Sequence, residues 1–205
     1  MKSTILVVIV LLSSSPLVAY QLPTVEITPH EWETPAEQVL NEIDPHTSKS
    51  RLAFWKTCVD LKTTLINLPP ADPSANVLLE SDRLAKTIIT TLYRLSHEYR
   101  VLGWPRLHNL AIKMGLRTKG YCYHYTNDLR TVLQQETWNF FDFTWAEAYG
   151  GTRRESNALG LMRRGQPFIT GIVVDPWRTG SRPYWHTVQG DRWPWVPRND
   201  VVIDD

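Results

Sequence analysis

The sequence predicts an α+β fold, in which a single domain places its helices before an antiparallel sheet. Up to about residue 134, apolar residues recur at the three- and four-residue steps of a helix. After Phe141 they alternate with polar residues or form short runs between turn signals, as strands do. Because helical and strand segments are not interleaved along the chain, the order favours α+β over α/β.

The N-terminus has the layout of a signal peptide. Lys2 precedes a run of eight apolar residues, and small residues follow. We expect residues 1–19 to be cleaved on export, since eight apolar residues are far fewer than the roughly 20 that cross a membrane. Residues 20–47, rich in Pro and Glu, are expected to form an extended arm, and residues 48–205 one domain. The expected product is periplasmic or secreted, with no stable membrane span.

Two helices are predicted before residue 104. The first runs from Arg51 to Leu65 and stops before the proline-rich segment 68–73. The apolar residues expected near one of its faces are Leu52, Trp55, Val59 and Leu65. The second runs from Ser81 to a stop at Gly103. Its apolar residues fall on one helical face, at Leu84, Ile88, Leu92, Leu95, Tyr99 and Leu102.

Two shorter helices are predicted next. Pro105 suits the first position of the third helix, and Gly115 suits its C-terminal end. The apolar residues expected to pack from this helix are Leu107, Leu110 and Met114. The fourth helix is predicted from Cys122 to about Gln134, after a basic turn.

The sheet is predicted from four strands. The first contains the alternating aromatic residues of segment 141–145. The next two, Asn157–Met162 and Ile169–Val174, are separated by a short turn, and the fourth is Tyr184–Val188. We expect the second and third strands to be neighbours in one antiparallel sheet, packed against the helix that begins at Cys122.

Composition narrows the range of functions. The net charge of +1 gives no support for a nucleic-acid-binding face. Nine Trp and eight Tyr residues suit either a core or a groove for a peptide or sugar. The two cysteines, Cys58 and Cys122, have no ligand-like spacing, so we expect no metal site and no cofactor. In an oxidising compartment they form a disulfide, or Cys122 is free and functional.

Two clusters along the sheet segment each allow two interpretations. Four arginines flank the second predicted strand, as a solvated face or as a site for an anionic partner: Arg153, Arg154, Arg163 and Arg164. Four tryptophans cover the hairpin as core or form one wall of a cleft: Trp177, Trp185, Trp193 and Trp195.

Cys122 is the strongest candidate for a functional residue. It is predicted at the start of a helix, where unpaired N–H groups and the helix dipole lower the pKa of a thiol. Gly120 lets the backbone turn sharply before it. Asp175 is predicted at the end of a strand, directly before Pro176, although an Asp before Pro also commonly opens a turn.

Three segments, taken in order, resemble the core of the transglutaminase-like (papain-like) superfamily of cysteine proteins. They are Gly120-Tyr121-Cys122, Glu155-Ser156-Asn157-Ala158 and Val174-Asp175-Pro176. The stretches 164–168 and 174–178 also resemble a group of exported bacterial proteins within that superfamily. The resemblance implies that Cys122 attacks an amide carbonyl and that Asp175 orients a catalytic histidine. Ser156 occupies the position at which the resemblance implies that histidine.

A serine at position 156 leaves the thiol without its base. A hydroxyl does not accept a proton near neutral pH, and losing a positioned general base costs about 10²–10⁴-fold in rate. Three other histidines could substitute: His108, His124 and His186. His124 follows Cys122 by two residues on the same helix and is expected to point away from it. His186 shares a face with Asp175 in only one of two strand registers.

The expected function is that of a pseudoenzyme, a weak or inactive descendant of a thiol-based protease, amidase or transamidase. On this interpretation Cys122 is free, and both Ser156 and Asp175 face it. The first rival is a non-catalytic module that binds a peptide, protein or cell-wall partner. The second is a structural domain closed by a Cys58–Cys122 disulfide. The sequence does not specify an oligomeric state.

Overall fold

The computed structural model describes residues 48–198; the predicted signal peptide, the predicted arm and residues 199–205 lie outside this range. Within it, the chain forms four α-helices and then a five-stranded antiparallel sheet, which confirms the α+β prediction. The helices are α1 (Ser48–Ile66), α2 (Ala75–Glu98), α3 (Pro105–Lys113) and α4 (Cys122–Gln134). The strands are β1 (Phe141–Ala148), β2 (Ser156–Arg163), β3 (Ile172–Val174), β4 (Trp185–Thr187) and β5 (Val196–Arg198).

The α2 helix has the buried face that its sequence predicts. The buried residues include Leu84, Ile88, Leu92, Leu95 and, just after the helix, Tyr99. The helix begins earlier than predicted, at Ala75 instead of Ser81, and Leu102 lies beyond its end and is exposed. The buried carboxylate of Glu80 accepts the N–H groups of Asn139 (2.9 Å) and Phe140 (2.7 Å). This contact ties the early turns of α2 to the segment that enters β1.

The apolar faces predicted for α1 and α3 are wrong. In α1, Leu52 and Val59 are 70% and 58% exposed. The α1 side chains that reach the core are Phe54, Cys58, Leu61 and Leu65. Because α1 carries apolar residues on two sides, its pattern alone does not select the side that packs against α2. In α3, His108 and Ala111 are buried, whereas the predicted set is exposed: Leu107, Leu110 and Met114.

The sheet has the strand order β4-β3-β2-β1-β5, and all of its pairs are antiparallel. As predicted, β2 and β3 are neighbours, with Leu159 paired to Val174. The last two predicted strands are shorter than expected, because residues 168–170 form a 3₁₀ turn before β3 and β4 covers three residues. The predictions missed β5, a short edge strand that pairs with β1.

The two faces of the sheet carry apolar clusters of different size. One face contributes Leu159 and Val174 to the main core, which also holds buried side chains of α1, α2 and α4. The opposite face carries a smaller cluster that includes Ala148, Ala158 and Trp195. No helix between residues 48 and 198 is long and apolar enough to cross a membrane.

Candidate functional site

The turn before Cys122 is held by two histidine rings. The Nε2–H of His108 donates to the carbonyl of Lys119 at 2.9 Å. The Nδ1 of His124 accepts the N–H groups of Gly120 and Tyr121, each at 3.1 Å. Gly120 has a φ of +123°, and a Cβ there would lie 2.1 Å from His108 Nε2, so only glycine fits this close approach. These bonds give His108 and His124 a role in placing Cys122 at the first residue of α4.

Cys122 Sγ has an amide, not an imidazole, as its hydrogen-bonding side-chain neighbour. The Asn157 Nδ2 amide donates to the sulfur at 3.9 Å. Burial is the largest influence on the thiol and raises its pKa, and the carboxylate of Asp175 raises it further. The N–H groups of Asn157 and Tyr123 oppose this rise without cancelling it. The expected lowering of the Cys122 pKa at a helix start is therefore wrong, because the site is too dry for the N-terminal groups to prevail.

The residue of β2 that contacts Cys122 is Asn157, and the prediction that Ser156 faces the thiol is wrong by one position. Asn157 lies on the same face of β2 as Leu159, which packs in the main core. Ser156 pairs with Ala148, and that face carries the smaller cluster. Successive residues of a strand point to opposite faces, so one residue of error exchanges the two sides. The buried Ser156 Oγ has no hydrogen-bond partner among the described residues.

Asp175 is fully buried after β3, and its carboxylate is bound to Arg178. The Arg178 Nε donates to Asp175 Oδ2 at 3.2 Å, and the Arg178 backbone N–H donates to Oδ1 at 3.3 Å. Burial nevertheless outweighs the nearby guanidinium and raises the pKa of Asp175 to about 6. Arg178 in turn donates to Asp191 at 3.1 Å and stacks on Trp193, 3.8 Å from the ring centre. In the described contacts, the partner that Asp175 orients is thus an arginine.

His186 lies on β4 at a distance from the sulfur that no described contact bridges. Val173 pairs with His186, and the N–H of Asp175 donates to the carbonyl of Tyr184 at 2.9 Å. This register puts His186 and Asp175 on one face, as in one of the two registers considered from the sequence. The His186 Nδ1–H donates to the carbonyl of Thr187 at 3.1 Å, within its own strand.

A cleft of about 1020 Å³ opens over Cys122. Its walls come from the start of α3, the start of α4, the β1–β2 turn and the segments that follow β3 and β4. Six of the lining residues are aromatic: Trp104, Tyr121, Tyr123, Tyr149, Trp177 and Trp193. Its charged lining consists of one carboxylate and five guanidinium groups: Glu155, Arg106, Arg153, Arg154, Arg178 and Arg192.

The two cysteines are free thiols in the structure, as expected for a Cys122 that lines the cleft. Cys58 is buried in α1, where burial raises its pKa to about 12. The Cys58–Cys122 disulfide considered from the sequence is therefore not formed here. Between residues 48 and 198, no three His, Cys, Asp or Glu side chains come together in a way that could hold a metal ion.

Sequence reasoning missed two residues of this site, Asn157 and Arg178. Asn157 follows directly after Ser156, so the correct parity of β2 would have identified it. Arg178 follows Asp175 by three residues, a spacing that lets its backbone N–H and side chain reach the carboxylate in one 3₁₀ turn. No family model, no curated protein and no solved structure matches this chain.

Proposed function

We propose that this protein is an exported, transglutaminase-like protein whose cleft binds a peptide and whose Cys122 retains little or no amide-cleaving activity. The observation that carries the proposal is the amide of Asn157 against Cys122 Sγ. An amide N–H donates a hydrogen bond, but it does not take up the proton of a thiol. Acyl transfer by a thiol needs the thiolate, which an adjacent base or a lowered pKa normally supplies.

The charges near the sulfur support the same conclusion. Burial and the Asp175 carboxylate both raise the pKa of Cys122, so at neutral pH the sulfur is held as the thiol. Asp175 is engaged with Arg178, which is itself bound to Asp191. A carboxylate that is paired in this way is already satisfied and has less to offer an imidazole.

The cleft supports a binding role. Its volume of about 1020 Å³ is at the upper end of the roughly 300–1000 Å³ typical of ligand pockets. Aromatic side chains dominate the apolar part of its lining. Tyr and Trp rings offer flat apolar faces together with a polar edge, which suits the alternation of side chains and amides along a peptide.

A second candidate function, residual acyl transfer, is favoured by one specific feature. The Asn157 amide and the N-terminal N–H groups of α4 all point donors towards the position of Sγ. Donors in such an arrangement also stabilise the oxyanion of a tetrahedral intermediate. Residual activity would therefore appear as slow acylation of Cys122, even without a base.

The pH dependence of Cys122 alkylation by iodoacetamide tests the proposal. We expect the midpoint of the rate to lie above the ordinary thiol value of about 8.5, with no covalent acyl adduct after incubation with an activated peptide ester. A midpoint below about pH 7, or an acyl adduct on Cys122 seen by mass spectrometry, would show that the site is an activated nucleophile.

Matched histidine substitutions test the geometry behind the proposal. Asn157→His puts a ring against Sγ, and the N–H of Trp145, which donates to residue 157 at 2.7 Å, favours the tautomer that directs a ring N–H at the sulfur. We expect the alkylation midpoint to fall by about one unit, because that N–H stabilises the thiolate. Ser156→His, on the other face, should leave the midpoint unchanged, with circular dichroism confirming that both variants fold. The reverse result would restore Ser156 as the position opposite the thiol.

A further inference from the structure

The charge of the described domain differs greatly from that of the whole chain. Residues 48–198 hold 21 of the 22 Lys and Arg residues but 12 of the 21 Asp and Glu residues, a formal net charge of +9 with neutral histidines. The other nine acidic residues lie at positions 20–47 and 199–205. The net charge of +1 for the full sequence therefore conceals a basic domain.

Part of this positive charge is concentrated around Cys122. Of the five arginines that line the cleft, Arg178 is neutralised by Asp175 and Asp191. The other four are exposed and form no ion pair with another residue between 48 and 198: Arg106, Arg153, Arg154 and Arg192. Glu155 is the one carboxylate among the lining residues described.

These arginines come from three separate segments, so they surround the cleft. Arg106 lies in the first turn of α3, and Arg192 lies between β4 and β5. Arg153 and Arg154 belong to the β1–β2 turn, where the Arg154 guanidinium stacks on Tyr149 at 4.6 Å from the ring centre. Stacking on a ring leaves the edge of a guanidinium free to bind a carboxylate through two N–H groups.

An exposed apolar surface continues from this basic cleft onto α3. Trp104 lines the cleft and is 76% exposed, and Leu107 and Leu110 lie next along the helix with their side chains in solvent. A ligand that satisfies both surfaces carries carboxylates and apolar side chains together. A concave cleft admits a peptide chain, whereas a flat membrane surface does not reach arginines around its floor.

We propose that the cleft binds an acidic peptide segment, whose carboxylates pair with Arg106, Arg153, Arg154 and Arg192 and whose apolar side chains lie on Trp104 and Leu107. The proposal rests on the peptide-binding function given above and names its ligand class. Ion pairs at a solvent-exposed rim are screened by salt, so binding is strongest at low ionic strength.

Fluorescence anisotropy with two labelled peptides of equal length tests this proposal. One alternates Glu with Leu, Val and Tyr, and the other has Gln in place of each Glu. We expect the Glu peptide to bind at least about tenfold more tightly at about 50 mM salt, and to lose most of that advantage at about 200 mM. Equal affinity of the two peptides would overturn the assignment of an acidic ligand.

Charge-reversal variants locate the site. Arg153→Glu/Arg154→Glu should weaken binding of the Glu peptide at least about tenfold, with an unchanged melting temperature because both side chains are exposed. The matched control, Arg94→Glu/Arg182→Glu, makes the same change in net charge outside the cleft and should weaken it by no more than about twofold. Equal losses in the two double variants would show that only net charge matters.

Competition distinguishes the other anions. If a short oligonucleotide or vesicles of anionic phospholipid displace the Glu peptide and bind more tightly, the peptide assignment is overturned. Protection of Cys122 from iodoacetamide by the Glu peptide would place the ligand in the cleft. The underlying function fails in a different way, through acylation of Cys122 or through the absence of binding by either peptide.

Discussion

Cys58 and Cys122 both lie on helices, and burial raises the pKa of both thiols, yet their surroundings differ. Cys58 is in the middle of α1, enclosed by apolar side chains, and the nearby Lys86 only partly offsets the burial that raises its pKa to about 12. Cys122 begins α4, lines a cleft and receives an amide N–H from Asn157. The comparison teaches that a helix start does not by itself make a reactive thiolate. What distinguishes Cys122 is its access to the cleft and its hydrogen-bond donors.

Selective alkylation gives the largest expected effect on this comparison. In the native protein, iodoacetamide should modify Cys122 at least about a thousandfold faster than Cys58, because Cys58 reacts only after the domain opens. Peptide mapping by mass spectrometry measures both rates, and denaturant should make them similar. Equal labelling of the two cysteines in the native protein would break the comparison.

The two surroundings were not equally predictable from the sequence. The start of α4 at Cys122 was predicted because a glycine turn precedes it and a helical period follows. The parity of β2 was not predictable, because all eight residues of the strand are buried. Such a strand lacks the alternation of apolar and polar residues that assigns its faces, and this is why Ser156 was chosen in place of Asn157.

The same reasoning explains the error in α1. In α2, a single apolar stripe specifies the buried face, and the prediction for Leu84 to Tyr99 is confirmed. In α1, Phe54 and Leu61 face the core, while Val59, on the other side, is exposed. Only contact with α2 decides between these sides, and a contact of this kind is not visible in the local sequence. The Asp175–Arg178 pair was missed for a similar reason, since burial creates its significance.

Core substitutions in α1 give the next largest effect. Leu61→Ala should lower the free energy of unfolding by about 2–5 kcal/mol, because it leaves a cavity beside Cys58. Val59→Ala, on the exposed side of the same helix, should change it by less than about 0.5 kcal/mol. Denaturant titration measures both, and Leu61→Ala should also speed native-state labelling of Cys58. Similar losses for the two variants would mean that the buried face of α1 is misassigned.

Asp175→Asn is expected to have a smaller, pH-dependent effect near Cys122. The pKa of Asp175 is raised to about 6 in the folded protein, above its usual value near 4. The folded state therefore favours the neutral carboxyl, and this contribution to stability is lost as the pH rises from about 4 through about 6. Thermal melting across this range should show the variant gaining on the wild type as the pH rises. A difference in melting temperature that stays constant with pH would contradict the raised pKa.

Asn157→Leu should produce the smallest change and bears most directly on what separates the two cysteines. The Asn157 amide lowers the pKa of Cys122 against the larger effect of burial, so its removal should raise that pKa further. At about pH 8 the alkylation rate should fall about threefold, as expected for the loss of one weak hydrogen bond. Melting temperature is measured in parallel, because Asn157 Oδ1 also accepts the N–H of Trp145 at 2.7 Å. Ser156→Ala is the matched control on the opposite face and should leave the rate unchanged. A faster rate in Asn157→Leu would mean that Asn157 shields the sulfur instead of stabilising its thiolate, and Cys122 would then resemble Cys58 in being limited by access.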